Sequence, residues 1–329
     1  MASSVHDQGS SAVVPAPRYV MSVALGAVLA LGVLSAALAI LDARGDLPPP
    51  PIANSLCIDE KLAFLREQRP RDPNLLVIGS SVAWRHFDGR VAFTQKPQIR
   101  AINAGFCGLN ARQSVDVADW LLPHLPHVTR VLLIAAPQDF TQCAEVPPAF
   151  DVEDAERYVF ERMPEFGFYL RYFDPVSLVR NATEVAAKRS NRIPLDPLVF
   201  TPYGDGPLDT GASRELTYGA IGSLDPTCFT AVHQFAARMS ETHREFTVVT
   251  TPLHPDWLAR FDPRGKLSAE YIESLGRALS GTGAGSWNAN HRAEFGPAAF
   301  TDAIHLRWSA AHTFTEHLMG ELAGRGRRL

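Results

Sequence analysis

Two short segments carry side chains that together can perform acyl transfer. The first is Asn74-Leu75-Leu76-Val77-Ile78-Gly79-Ser80-Ser81, and the second is Thr301-Asp302-Ala303-Ile304-His305-Leu306. A hydroxyl nucleophile needs a base within hydrogen-bond reach and a third group that orients the base. Ser81 offers the hydroxyl. His305 can take the serine proton. Asp302 can fix the tautomer of His305 and stabilise the imidazolium. The Asp-x-x-His spacing reads as the opening of a helix, with both side chains on one turn and one face. Each segment alone has a plainer reading: Ser80 and Ser81 as helix caps, Asp302 as a surface carboxylate and His305 as a packed ring.

Two further segments fit the same chemistry. Asn103-Ala104-Gly105-Phe106-Cys107-Gly108 ends in a glycine whose backbone N–H can approach a developing oxyanion. Ala136-Pro137-Gln138-Asp139-Phe140 offers the Gln138 amide as another donor. With the N–H of Ser81, these make an oxyanion hole of Ser81, Gly108 and Gln138. The plainer readings are ordinary turn glycine and a glutamine on a solvated loop.

All four segments are placed by apolar runs. Leu75 to Ile78, Ile99 to Asn103, Val131 to Ala135 and Phe246 to Thr250 read as strands. Residues 56 to 69, Arg112 to Leu122 and Ala310 to Leu322 read as helices between or after them. Continuous apolar strands alternating with helices predict an α/β fold with a parallel sheet covered on both faces. Such sheets place sites at the carboxyl ends of their strands. Helical stretches are also expected at Glu153 to Met163 and Pro175 to Lys188. Residues 190 to 225 are rich in Pro, Gly and Asp with no clear period. Residues 150 to 235 therefore read as an insertion, either a lid that shapes the substrate site or a plain surface excursion. Asn181-Ala182-Thr183 fits a glycosylation sequon and reads as accidental.

The N-terminus predicts a membrane anchor. Residues 19 to 41 carry no charge, and about 20 apolar residues span a bilayer. A buried core helix would rarely be apolar on all sides for so many turns. A cleavable signal peptide is the alternative, with Ala37-Leu38-Ala39 as a cleavage pattern. The reading adopted is residues 1 to 18 as a cytoplasmic tail, 19 to 41 as an uncleaved transmembrane anchor, 42 to 55 as a Pro-rich spacer and 56 to 329 as the domain. Arg18 and Arg44 flank the run and do not decide orientation. A short tail before a large domain suits an N-in, C-out arrangement, with the domain extracytoplasmic. The run Pro48 to Pro51 predicts a stiff spacer holding the domain off the membrane.

Composition narrows the rest. With 329 residues the chain can build a large core, and a formal net charge of −4 gives no reason to expect nucleic-acid binding. Four cysteines, Cys57, Cys107, Cys143 and Cys228, are too few for a disulfide framework. Cys107 and Cys143 lie in segments expected to be close together and form the expected pair if the domain is oxidised. No Cys/His spacing suggests zinc, and no cofactor or metal is expected.

The four blocks, in this order, resemble those of the SGNH (GDSL-type) hydrolases, across roughly residues 70 to 140 and 240 to 320. In that family the first block is Gly-Asp-Ser. Here it is Gly79-Ser80-Ser81, which puts the nucleophile at Ser81 and a serine in place of the Asp. The second block is matched by Asn103 and Gly108. The third, Gly-x-Asn-Asp, becomes Ala136-Pro137-Gln138-Asp139. The last is matched by Asp302 and His305. The resemblance implies an SGNH-hydrolase-like, flavodoxin-like parallel sheet sandwiched by helices. The Ser-Ser pair, the Pro-Gln pair and the N-terminal anchor look like the DltD-type branch. That likeness implies a membrane-anchored, periplasmic acyltransferase or esterase. Its acceptor would be a cell-envelope or exported polysaccharide, and acetyl the expected acyl group. A multi-span membrane O-acyltransferase would be its partner. Transferase and esterase share every residue named here. The alternative is a non-catalytic glycan-binding or assembly partner that kept the fold.

Further candidates lie at the same sheet edge. His254 and Trp257 follow the Phe246 strand and can contact a sugar or pack beneath the insertion. Arg85 and His86 follow Ser81 and can bind an anionic group or face solvent. Arg307 and Trp308 follow His305 and are expected to pack or cap.

Overall fold

The structure is a computed structural model that describes residues 17–68, 72–291 and 295–325. It divides into two compact units, Met1–Leu47 and Pro48–Leu329. The first contains helix α1 (Pro17–Arg44), with a mean hydropathy of 2.5 over its most apolar window. Ten large apolar side chains between Tyr19 and Ile40 are exposed. A helix apolar on every side with so little of itself buried is not built as a core helix. It is long and apolar enough to cross a bilayer.

The second unit runs α2 (Leu56–Glu67), β1 (Leu75–Gly79), α3 (Ser81–His86), α4 (Gly89–Gln95), β2 (Ala101–Asn103), α5 (Ala111–Leu121) and β3 (Arg130–Ala135). After β3 come α6 (Val152–Val159), α7 (Glu165–Arg171), α8 (Pro175–Arg189) and α9 (Pro226–Glu241). It closes with β4 (Glu245–Thr250), α10 (Pro255–Phe261), α11 (Lys266–Leu279), β5 (Gly285–Asn288) and α12 (Trp308–Arg325).

The five strands form one parallel sheet in the order β2-β1-β3-β4-β5. Alternate residues serve opposite faces. Leu76, Ile78, Val131, Leu133 and Val248 join the core shared with α5, α9 and α11. Leu75, Val77, Leu132, Ile134 and Val249 join the core under Phe314 and Leu318 of α12. Both faces are covered, which is why β1 and most of β3 read as continuous apolar runs. Truncating one such residue, for example Leu133 to Ala, is expected to cost about 2–5 kcal/mol. The order reverses between β1 and β3. A crevice opens beyond the carboxyl ends of the strands at such a switch point.

Three expectations need correction. β5 was not anticipated: of Gly285–Asn288 only Trp287 is fully buried, so the strand has almost no apolar signature. The proline run is no solvated spacer. Pro48, Pro49 and Pro50 are buried, and the Tyr169 hydroxyl donates to Pro48 O at 2.5 Å. The cysteines pair as Cys57–Cys107 and Cys143–Cys228, not Cys107–Cys143. The Cys107 loop faces α2. Cys143 is buried against α9, with 5.3 Å between the Cα atoms of Cys143 and Cys228. Cys107 and Cys143 follow β2 and β3, which β1 separates in the sheet.

Candidate active site

Ser81 is set by a glycine that no other residue can replace. Gly79 has φ +142°, and a Cβ there would lie 2.2 Å from Ile134 O and 2.7 Å from Ala83 Cβ. This close approach lets β1 turn directly into α3 beside β3. Ser80 caps α3, its Oγ accepting from Val82 N at 3.3 Å. It also hydrogen-bonds the Asp139 carboxyl, which accepts from Ala136 N at 2.8 Å. Burial pushes the Asp139 carboxyl up to about 7, against both of those hydrogen bonds. Ser81 is the first residue of the helix, where backbone N–H groups have no intrahelical partner.

The three expected catalytic side chains come together. Nε2 of His305 lies 2.8 Å from Ser81 Oγ, and Nδ1 lies 2.9 Å from Asp302 Oδ2. Asp302 and His305 are almost fully buried. They do not share a helical turn, because α12 begins only at Trp308. Residues 301–304 form a bend closed by a bridge between Phe300 and Leu306. Asp302 Oδ1 shapes that bend by accepting from Ile304 N at 3.0 Å and His305 N at 2.8 Å. Burial alone would raise the Asp302 carboxyl. The hydrogen bond and charge of His305, with these two N–H groups, hold it below its usual value.

The proposed oxyanion donors border the same cavity, a space of about 330 Å³ that also touches Ser81 and His305. Gly108 has φ +70°, a left-handed turn that presents its backbone to the cavity. Gln138 sits in the single turn Pro137–Phe140 that follows β3. Its Nε2 and Oε1 are buried, and neither has a hydrogen-bond partner. Unpaired buried amides are rare and costly. One lining a cavity beside the Ser81 hydroxyl is suited to hydrogen-bond a ligand.

The insertion builds the outer wall of the cavity through Leu195, Asp196, Leu208, Arg214 and Tyr218. Arg214 and Tyr218 were not anticipated, since nothing in their local sequence marks them. Arg214 N donates to Thr301 O at 2.7 Å, next to Asp302, and the Tyr218 ring meets the His305 ring edge-on at 5.7 Å. Asn110 was also missed. Its Oδ1 caps α5 on Gln113 N, and its Nδ2 is buried without a partner.

The remaining candidates mostly brace this wall. Arg85 lines the cavity but is buried, not solvated. Its guanidinium lies 3.5 Å from the Trp84 ring and donates to Pro197 O at 2.8 Å and Gly206 O at 3.2 Å. Burial pushes it down to about 9, with Asp196 opposing that shift. His86 is wholly buried, and its Nε2 accepts from Leu306 N at 2.9 Å. His254 and Trp257 do not border the cavity. His254 caps α10 and packs on Phe300, while Trp257 is in the core with its indole N–H on Gly219 O at 2.8 Å. Arg307 binds the insertion through Thr210 O and Ala212 O. No group of three or more His, Cys, Asp or Glu arranged to hold a metal ion occurs among the described residues.

No protein-family model and no curated protein sequence is similar to this chain. One solved structure aligns over 78% of this chain and 97% of its own length, at 12% identity and a TM-score of 0.33.

Proposed function

We propose that this protein is a membrane-anchored, extracytoplasmic serine acyl-ester enzyme of SGNH type. It would act as an O-acyltransferase or esterase on a cell-envelope or exported polysaccharide. The observation that carries the reading is the continuous hydrogen-bonded line Ser81–His305–Asp302, with spacings of 2.8 and 2.9 Å.

In this reading His305 Nε2 takes the Ser81 proton as Oγ attacks the ester carbonyl. Asp302, held ionised, keeps the His305 proton on Nδ1 and stabilises the imidazolium. The N–H groups of Ser81 and Gly108 and the Gln138 amide receive the oxyanion. The imidazolium then gives its proton to the departing alcohol, leaving an acyl group on Ser81. A sugar hydroxyl, or water, releases it with His305 again acting as base. The two disulfides suit an oxidising compartment outside the cytoplasm, and α1 suits a single-pass anchor. A multi-span membrane O-acyltransferase is the expected source of acyl groups.

The test is the intact mass of the protein after brief exposure to an activated acetyl ester, with Ser81→Ala alongside. An acetyl adduct on the parent and none on the variant is the expected result. No adduct, together with no ester turnover, would overturn it in favour of a glycan-binding role.

A further inference from the structure

Outside α1, the exposed large apolar residues are concentrated in one place. Of the ten such side chains among the described residues of the second unit, six lie between residues 163 and 179: Met163, Phe166, Leu170, Phe173, Val176 and Val179. The pattern is regular. Phe166 and Leu170 are four apart on α7, while Phe168 and Tyr169 of the same helix are buried. Val176 and Val179 are three apart on α8, while Ala182 and Val185 are buried. Two consecutive helices thus each bury one face and present a second apolar face to the outside. Phe173 stands between them, 54% exposed. Clustered apolar exposure of this kind marks a contact surface rather than scattered surface leucines and valines.

One hydrogen bond indicates what covers it. Tyr169, on the buried side of α7, donates to the carbonyl of Pro48 at 2.5 Å. Pro48 opens the folded unit. The last residue of α1 is Arg44, four residues earlier, a span of at most about 14 Å. If α1 crosses the bilayer, the chain emerges within that reach of Pro48, the residue to which Tyr169 of α7 is hydrogen-bonded. Pro48, Pro49 and Pro50 are buried and do not lengthen that span as an extended tether.

We propose that the outer faces of α7 and the start of α8 seat in the lipid surface from which the anchor emerges, as an interfacial amphipathic element. Phe173, at the turn, enters the headgroup boundary. Asp174, beside it, keeps its charge at headgroup level, where it is engaged in capping α8 through Val176 N and Ser177 N. The same insertion walls the cavity beside Ser81 through residues 195 to 218, so the contact would fix the direction in which that cavity faces the membrane. The proposal rests on the membrane-anchor reading of α1 and not on the acyl-transfer reading.

The experiment uses the full chain reconstituted in vesicles of phosphatidylcholine and phosphatidylglycerol, with and without brominated acyl chains. Phe173→Trp is compared with the parent and with Phe93→Trp, an exposed position on α4. Bromolipid is expected to remove roughly half or more of the fluorescence added at 173 and little of that added at 93, as for a ring seated in the acyl boundary. Equal quenching at both positions, or none at 173, would overturn the proposal. Blue-shifted emission at 173 without lipid quenching would also overturn it, in favour of a protein covering the patch. Failure of the full chain to float with vesicles would instead refute the anchor and the proposal with it. Acyl-adduct formation on Ser81 is read separately and is untouched by these outcomes.

Discussion

His86 Nε2 accepts the backbone N–H of Leu306 at 2.9 Å, so the helix carrying Ser81 is pinned to the loop carrying His305. The other ring nitrogen, Nδ1, meets Thr251 Oγ1 at 2.5 Å, at the end of β4. An Nε2 that accepts leaves the ring proton on Nδ1. Burial, with the charge of His305 adding to it, holds His86 well below its ordinary value and therefore neutral. His86→Ala would leave buried groups on two elements unpaired, at a cost of about 1–3 kcal/mol each. The expected outcome is a lower melting temperature together with a fall in kcat, measured by thermal unfolding and ester turnover.

Ser80 and Ser81 are neighbours with separable roles. Ser81→Ala is expected to fold normally and to lose activity. Ser80→Ala removes the α3 cap and a hydrogen bond to Asp139. It should lose about 1 kcal/mol of stability and keep most of its activity. Parallel melts and turnover assays distinguish them, and equal loss of activity in both would remove Ser81 from its assigned role.

Gln138 is paired with nothing at rest. Its truncation to Ala should therefore leave melting unchanged or raised. If the amide serves the oxyanion, kcat should fall by about 10²–10³ with little change in KM. Steady-state kinetics read the split between kcat and KM directly.

Asp302→Asn keeps an oxygen that can accept from Ile304 N and His305 N, so the bend is expected to survive. The variant loses the charge and allows the wrong His305 tautomer. A fall of roughly 10⁴ in kcat is expected, with a far smaller change in melting temperature.

Asp139 predicts a pH dependence of stability. Its folded-state carboxyl is raised from 3.8 to about 7. Between those values the unfolded chain gives up a proton that the folded chain retains. The stabilising contribution is present in full below the unfolded value and is lost as pH rises through the folded one. The stability of the parent relative to Asp139→Asn should therefore decline from about pH 4 to about pH 7 and level off above. A flat difference across that range would show that Asp139 does not titrate there.

The sequence by itself determined the elements whose cause is local. β1, β3 and β4 are rich in apolar residues because both of their faces are buried, and Gly79 and Gly108 stand where the backbone takes angles that side chains disfavour. The first three chemical blocks were legible for the same reason, since each directly follows β1, β2 or β3. The spacing of Asp302 and His305 was legible too, although their shared face comes from a capped bend and not from a helix. Only the tertiary structure decided what depends on contacts between distant segments. Cys107 meets Cys57 and not Cys143, Trp257 is drawn into the core, Arg85 is sealed by the insertion, and Arg214 and Tyr218 reach the cavity. β5 exists because β4 offers it an edge. Such outcomes follow from which surfaces the fold brings together, and that pairing energy is not encoded in the spacing of neighbouring residues.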